Sequence, residues 1–120
     1  MAMKYYTEIV TFELAKKLKE AGYPQDNYTR EYDESGVLFR LIVGRPFFVA
    51  PTYADVFDWL IGKGLSVEMA KVKSLYSIHW VSRIEGIPQR ERRRKTKLSF
   101  HEAANAAIEK ACELLKGQRL

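Results

Sequence analysis

The chain has 120 residues, of which 47% are hydrophobic, and these totals fit one domain with a single hydrophobic core. The formal net charge is +5, and the only cysteine, Cys112, excludes both an intrachain disulfide and a zinc site built on paired cysteines. No apolar stretch reaches the roughly 18 residues of a membrane span or forms a signal-peptide core, so we expect a cytoplasmic protein without membrane contact.

The first predicted element is a short amphipathic helix. Thr11 is a typical N-cap residue, and apolar side chains follow it at helical spacing. Gly22 favours a left-handed helix stop, and Pro24 cannot continue a helix. The pattern therefore predicts a helix that ends at about residue 21.

A β-hairpin is predicted next. Residues 28–32 alternate large and polar side chains, residues 33–36 have turn chemistry, and residues 37–43 are mostly β-branched or apolar. The apolar stretch at 45–51 contains two prolines, which lack the backbone N–H that a sheet ladder needs. We therefore expect this stretch at a sheet edge or in an irregular connection.

A second helix begins after these prolines. Thr52 and Asp55 are spaced as a capping box, in which each side chain accepts from the other residue's backbone N–H. Apolar residues then fall on one helical face, and the glycines at 62 and 64 end the helix.

Two antiparallel strands are predicted after the second helix. Apolar and polar residues alternate over 65–69, and a turn is expected at 71–74. Residues 76–84 then form a strand pattern with one apolar face and one more polar face. Residues 85–98 are polar and contain Gly86 and Pro88, so we expect a mobile loop there.

The last helix has the strongest signal. Ser99 and Glu102 form a capping-box pattern, and a broad stripe of alanines and larger apolar residues follows. The sequence therefore predicts one α+β domain over 1–120, in which a small antiparallel sheet, made of the hairpin and two further strands, packs with three helices.

Several polar residues were considered for catalysis or metal binding. His79 and His101 belong to different elements, and with Glu102 they lack the ligand spacing of a metal site. Asp55 and Asp58 lie three residues apart on one helix, but the first is explained as a cap and the second as a solvent-facing acid. We therefore predict no catalytic residue, no metal and no cofactor.

Three apolar features bear on partners. Cys112 lies in the apolar stripe of the last helix, where we expect a buried and inert thiol. Trp59 lies off the apolar stripe of its helix, so it either packs on the domain or faces a partner. Trp59, or an exposed edge at Phe47 and Phe48, would support a homo-oligomer.

The positive charge is concentrated in the sequence QRERRRKTK at 89–97. This segment has six basic residues and one acid, whereas the rest of the chain has 14 of each sign. If all six cations contacted phosphates, a plot of the logarithm of the affinity for duplex DNA against the logarithm of the salt concentration would have a slope of about −5. The segment lacks strand or helix periodicity, which favours a solvated loop; nucleic acid and an acidic protein are the alternatives. The basic residues are Arg90, Arg92, Arg93, Arg94, Lys95 and Lys97.

Four motifs together carry a family resemblance. They are APTYADVFDWL at 50–60, KGL at 63–65, the later Trp80, and HEAANAAIEKA at 101–111. Over nearly the whole chain, the sequence resembles a family of small uncharacterised proteins from gut-bacterial and prophage genomes, with the pattern APTYxxVxDWL, KxGI, W and EALNxAIExAL. This sequence departs from that pattern at Ala104, where leucine is usual, and in its arginine-rich segment. The resemblance implies a cytoplasmic single-domain protein connected with mobile elements. It implies no particular activity.

The sequence thus favours a non-enzymatic accessory or interaction domain. Its alternative is a nucleic-acid-binding accessory protein that uses the basic segment 89–97.

Overall fold

Helices and antiparallel strands share the chain in the computed structural model, which describes residues 3–25, 30–38, 46–73, 78–85, 95–97 and 99–117. The α+β class is therefore confirmed. The helices are α1 (Met3–Tyr6), α2 (Phe12–Ala21), α3 (Tyr53–Gly62) and α4 (Phe100–Gly117). The strands are β1 (Glu31–Asp33), β2 (Phe47–Val49), β3 (Ser66–Lys73), β4 (Ile78–Glu85) and β5 (Lys95–Lys97).

The helix ends follow the predicted capping chemistry. The Thr11 side chain accepts from the Leu14 N–H, and Gly22 ends α2 in a left-handed conformation with φ of 102°. Thr52 and Asp55 form the complete capping box of α3, with both bonds at 3.2 Å. At α4, the Ser99 hydroxyl accepts from the Glu102 N–H and donates to the Glu102 carboxylate, each at 3.1 Å.

The described strands form two antiparallel sheets. β1 pairs with β2, and β3, β4 and β5 form a second sheet in that order. The turn predicted at 33–36 is present, since the Asp33 carboxylate accepts from the Ser35 and Val37 N–H groups. β1 pairs with Phe47–Val49, a segment expected at an edge. Most of the hairpin's predicted second strand, 37–43, lies outside the described residues.

Most buried apolar residues of the described part of the chain form one core between the helices and the larger sheet. The alanine stripe of α4 is buried, with Ala103, Ala104 and Ala111 fully covered. On the sheet, Trp80 and Ile84 of β4 face this core and are 6% exposed. The small side chains bring the α4 backbone close to the sheet.

Two boundary predictions are wrong. The turn expected at 71–74 does not begin at Lys71, because β3 continues through Lys73; Ser74 lies outside the described residues. The loop expected at 85–98 also has different ends, since Glu85 is the last residue of β4 and Lys95–Lys97 forms β5. Strand pairing to β4 prevails over the polar composition of Lys95–Lys97, because sheet hydrogen bonds form between backbones whatever the side chains.

Candidate nucleic-acid interface

The β3–β4 hairpin forms the longest paired surface of the larger sheet. Its register runs from Ser66 opposite Glu85 to Lys73 opposite Ile78. Because side chains alternate between sheet faces, Trp80, Ser82 and Ile84 share the core face, while Val81 and Arg83 lie on the other face. The predicted division of this strand into an apolar and a wetter face is confirmed, except that Ser82 is buried and Ile78 is 48% exposed.

An ion-pair network lies on the outer face of the sheet, which is the face opposite the core, near the end of the hairpin where β3 begins and β4 ends. The Arg83 guanidinium donates to the directly opposite Glu68 carboxylate at 2.6 Å and lies 2.8 Å from the Glu85 carboxylate. The hydrogen bond to Glu68 is the main reason why the pKa of Arg83 is raised. All three side chains are well solvated, so this network fixes the orientation of Arg83 more than it stabilises the fold.

A shallow depression lies on the same face. Its volume is about 140 Å³, below the 300 Å³ or more of typical small-molecule sites. It is lined by Glu68, Ala70, Val72, Val81 and Arg83. Its small size and open position fit contact with a large partner better than enclosure of a small ligand.

The structure brings part of the basic segment onto this sheet. β5 pairs antiparallel with β4, which places the Lys95 backbone opposite Ser82 and the Lys97 backbone opposite Trp80. Residues 89–94, with Arg90, Arg92, Arg93 and Arg94, lie outside the described residues. The expectation of a loop is therefore wrong for Lys95 and Lys97, which are held in a strand.

The stretch of sequence that includes β3, β4 and β5 concentrates the positive charge of the chain. Residues 66–97 contain nine of the 20 Lys and Arg residues but three of the 15 Asp and Glu residues. The remaining 11 basic and 12 acidic residues nearly cancel. Lys71 and Lys73 of β3 are exposed and belong to this region, and Lys71 lies opposite Trp80, as Lys97 does.

Lys71 and Lys73 are the functional candidates that sequence reasoning missed. They were placed in a turn, where their charges would have had no fixed relation to the basic segment. A signal was present, because no acid occurs between Met69 and Ile84. The strand register of the sheet brings these lysines near β5. A register across three strands can be determined only from the folded structure.

A cluster of aromatic rings supports this sheet from the core side. Phe100, at the start of α4, packs edge-on against Trp80 at 5.1 Å between ring centroids. It stacks on Tyr5 at 5.0 Å and contacts Tyr6 and Tyr53 edge-on. These contacts join α1, α3 and α4 to the centre of β4, so they hold the sheet rigidly against the helices.

His101 lies at the edge of this cluster. Its Nε2 forms a short contact with the Glu8 carboxylate, and both side chains are close to half exposed. Its ring also packs against Tyr5 and Tyr53. The separation of 93 positions between Glu8 and His101 explains why this pair left no signal in the sequence.

Tyr53 is fully buried beside His101. Its hydroxyl donates to the Asn105 Oδ1 at 2.7 Å, which satisfies the polar end of the ring. Burial raises the pKa of Tyr53 to about 12, because the charged phenolate would lose its hydration. Tyr53 is therefore a neutral, structural hydrogen-bond donor at neutral pH.

The other candidate catalytic groups are not brought together. Asp55 serves the α3 cap, and Asp58 is exposed on the same helix. His79 lies in β4, opposite Val72. Within the described part of the chain, no three His, Cys, Asp or Glu residues are placed to hold a metal ion.

Cys112 is buried, as predicted, under a charged groove between α2 and α4. The Lys17 and Glu109 side chains cross this groove at 2.9 Å, and Lys116 and Glu20 do so at 3.4 Å. Burial raises the pKa of the Cys112 thiol to about 11, so the nucleophilic thiolate is scarce at neutral pH.

The partner-facing candidates are mostly engaged within the domain. Trp59 is half-buried, packs edge-on against Tyr23 at 5.1 Å, and lies under the Lys63 ammonium. Phe48 packs against Phe12 at 5.6 Å, and Phe47 is also half-buried. These contacts favour packing roles for the residues that had suggested a homo-oligomer.

Comparisons with family models, curated proteins and solved structures find no match to this chain. Of the helices formed by the described residues, none combines the length and apolar content needed to cross a bilayer. The candidate interface therefore stands on its own geometry and charge.

Proposed function

We propose that this chain is a non-enzymatic interaction domain that binds nucleic acid through the sheet formed by β3, β4 and β5. One observation carries the proposal: the pairing of β5 with β4 joins the basic segment to a sheet that also presents Lys71 and Lys73. Positive charges gathered in one region of a protein attract a polyanion more strongly than the same charges dispersed over its whole surface.

The charge distribution supports nucleic acid over an acidic protein. Nucleic acid presents a regular row of phosphates, which matches positive charge spread along strands and a contiguous basic segment. On the helices, by contrast, cations alternate with acids and form ion pairs such as Lys17 with Glu109. Such a mixed surface gives a polyanion little net attraction.

The non-enzymatic part of the proposal is supported by where the candidate groups lie. Asp55 caps a helix, Tyr53 is a buried neutral donor, and Cys112 is covered by ion pairs. Each has a structural role that accounts for its position. We place the protein in the cytoplasm as an accessory factor, and its link to mobile elements is supported by the sequence resemblance alone.

A salt titration tests this proposal. Binding of the full chain to fluorescein-labelled duplex and single-stranded DNA is measured by anisotropy between 50 and 300 mM salt. We expect the duplex affinity to fall with a log–log slope of about −5 or steeper, since each neutralised phosphate contributes about −0.9.

A variant locates the cations that contribute. Replacing Arg90, Arg92, Arg93 and Arg94 with glutamine should make the slope shallower by about 3.6. The matched control replaces four helix cations, Lys16, Lys17, Lys110 and Lys116, and changes the net charge equally. No binding of the unmodified chain at 50 mM salt would refute the proposal. An equal reduction of the salt slope in both variants would also refute it. Tighter binding to polyglutamate than to DNA would refute it as well.

A further inference from the structure

The depression on the outer face of the β3–β4 hairpin has a polar rim and an apolar floor. Directly opposite residues share a sheet face, so the row of Glu68 with Arg83 lies next to the row of Ala70 with Val81. Val72 extends the apolar part and is 37% exposed. These five residues line the depression, and the register places all of them on one surface.

The rim offers both a donor and an acceptor to a ligand. The Arg83 Nε and Nη2 donate to the Glu68 Oε2 at 3.1 and 2.6 Å, and Nη2 also lies 2.8 Å from the Glu85 carboxylate. Among the described residues these contacts use Nε and Nη2, which leaves the two hydrogens of Nη1 for a ligand. Glu68 likewise keeps Oε1, because Oε2 accepts both bonds from Arg83. The ion pair therefore holds a guanidinium and a carboxylate side by side.

The charge of the rim disfavours a phosphate but not a base. Two carboxylates, those of Glu68 and Glu85, lie beside one guanidinium, so the rim repels an anion. An uncharged nucleobase meets no such repulsion, and it gains from covering the apolar floor. The phosphates of the same strand are attracted instead by the lysines of β3 and the basic segment.

We infer that this depression binds one unpaired guanine base, an inference that rests on the proposed function and specifies a sequence preference. Guanine is the common base whose Watson–Crick edge has two adjacent N–H donors, at N1 and N2, and these face the Glu68 carboxylate. Its O6 and N7 acceptors face the Nη1 hydrogens of Arg83, since arginine pairs with these two atoms more often than with any other base atoms.

Other bases make fewer of these bonds. Adenine and cytosine each have a single amino group as donor, and thymine has one N–H between two carbonyl groups. None of them presents two donors to the Glu68 carboxylate and two acceptors to Arg83 at once. The pairing of a guanidinium with a carboxylate over an apolar floor therefore selects guanine.

The guanine must be unpaired to bind in this way. In a duplex its N1 and N2 groups are bonded to cytosine, so a single strand or a loop is needed to present them. Proteins read single-stranded sequence by hydrogen bonds to the exposed edges of splayed bases. Because the depression is open and has a volume of about 140 Å³, one base lies on it while the sugar and phosphate stay outside.

Single strands of equal charge test the inference by anisotropy with the full chain at 100 mM salt. Four labelled thymidine dodecamers carry guanine, hypoxanthine, 7-deazaguanine or adenine at one central position. We expect the guanine strand to bind about 5- to 10-fold more tightly than the adenine strand, the lower end for a bidentate contact because the site is solvated. Hypoxanthine lacks the N2 amino group and 7-deazaguanine lacks the N7 acceptor, so both should fall between them.

Two variants connect this preference to the depression. Glu68→Gln removes a negative charge, so every strand should bind more tightly while the guanine preference is lost. Ala70→Leu fills the depression and should abolish the preference at an unchanged salt slope. Glu113→Gln, at an exposed position of α4, is the matched control, because it changes the net charge as Glu68→Gln does and should keep the preference.

The outcomes separate the inference from the proposed function. If the four strands bind with a steep salt slope but equal affinity, or if only duplex DNA binds, the inference fails and the proposed function stands. A guanine preference that survives Ala70→Leu also overturns the inference alone, since the base is then read elsewhere. If neither single strands nor duplex bind at 50 mM salt, both fail. Circular dichroism and urea unfolding confirm that the variants are folded, as expected for exposed positions.

Discussion

Replacing Phe100 with alanine should destabilise the domain severely. Phe100 is 1% exposed, and its ring is in contact with rings from α1, α3 and β4, including Tyr5, Tyr53 and Trp80. Truncating a buried phenylalanine costs about 3–5 kcal/mol, because it loses transfer free energy and leaves a cavity. Since the whole free energy of unfolding of such a domain is about 5–15 kcal/mol, the variant should lose a large fraction of it.

Urea unfolding followed by tryptophan fluorescence measures this loss, because Trp80 packs directly on the replaced ring. Phe100→Leu keeps most of the volume and should cost clearly less. Ile61→Ala is the surface control, since Ile61 is 59% exposed and its truncation should change the free energy of unfolding by under about 0.5 kcal/mol. A Phe100→Ala loss below about 1 kcal/mol would show that the ring cluster does not organise the core.

Three further predictions follow from single groups. Between pH 10 and 12 the unfolded Tyr53 ionises while the folded one stays neutral, so stability should fall with rising pH by roughly 2–3 kcal/mol, and Tyr53→Phe should make the fall shallower in urea titrations. Thr52→Ala removes the α3 cap and should cost about 0.5–2 kcal/mol of unfolding free energy, whereas Thr52→Ser should cost far less. Cys112 should react with a thiol reagent at pH 7.5 many times more slowly in the folded chain than in urea; equal rates would contradict its burial.

Local chemistry made α2, α3 and α4 predictable, whereas the short α1 was not predicted. The caps at Thr11 and Thr52 and the stop at Gly22 depend on neighbouring residues, so a short window of sequence contains the whole signal. The alternation around Trp80 likewise predicted which face of β4 meets the core.

Long-range pairing was not predictable in the same way. Lys95–Lys97 reads as a solvated loop, since its strand conformation depends on backbone bonds to β4 and not on its own composition. Lys71 and Lys73 lie in the same sheet as β5 because of the register across three strands. The contact between Glu8 and His101 likewise joins residues that are far apart in the sequence. The candidate interface could therefore be identified only from the structure, although its largest cluster of charge was already visible in the sequence.

Amide chemical-shift mapping tests the proposed interface most directly. A 12-base-pair DNA duplex is titrated into the isotopically labelled full chain at 50 mM salt, and backbone amide shifts are followed residue by residue. We expect the largest changes in β3 from Lys71 to Lys73, at Ile78, and in β5, with little change in α2 or along α4. Changes confined to the helices, or no changes at all, would contradict nucleic-acid binding through this sheet.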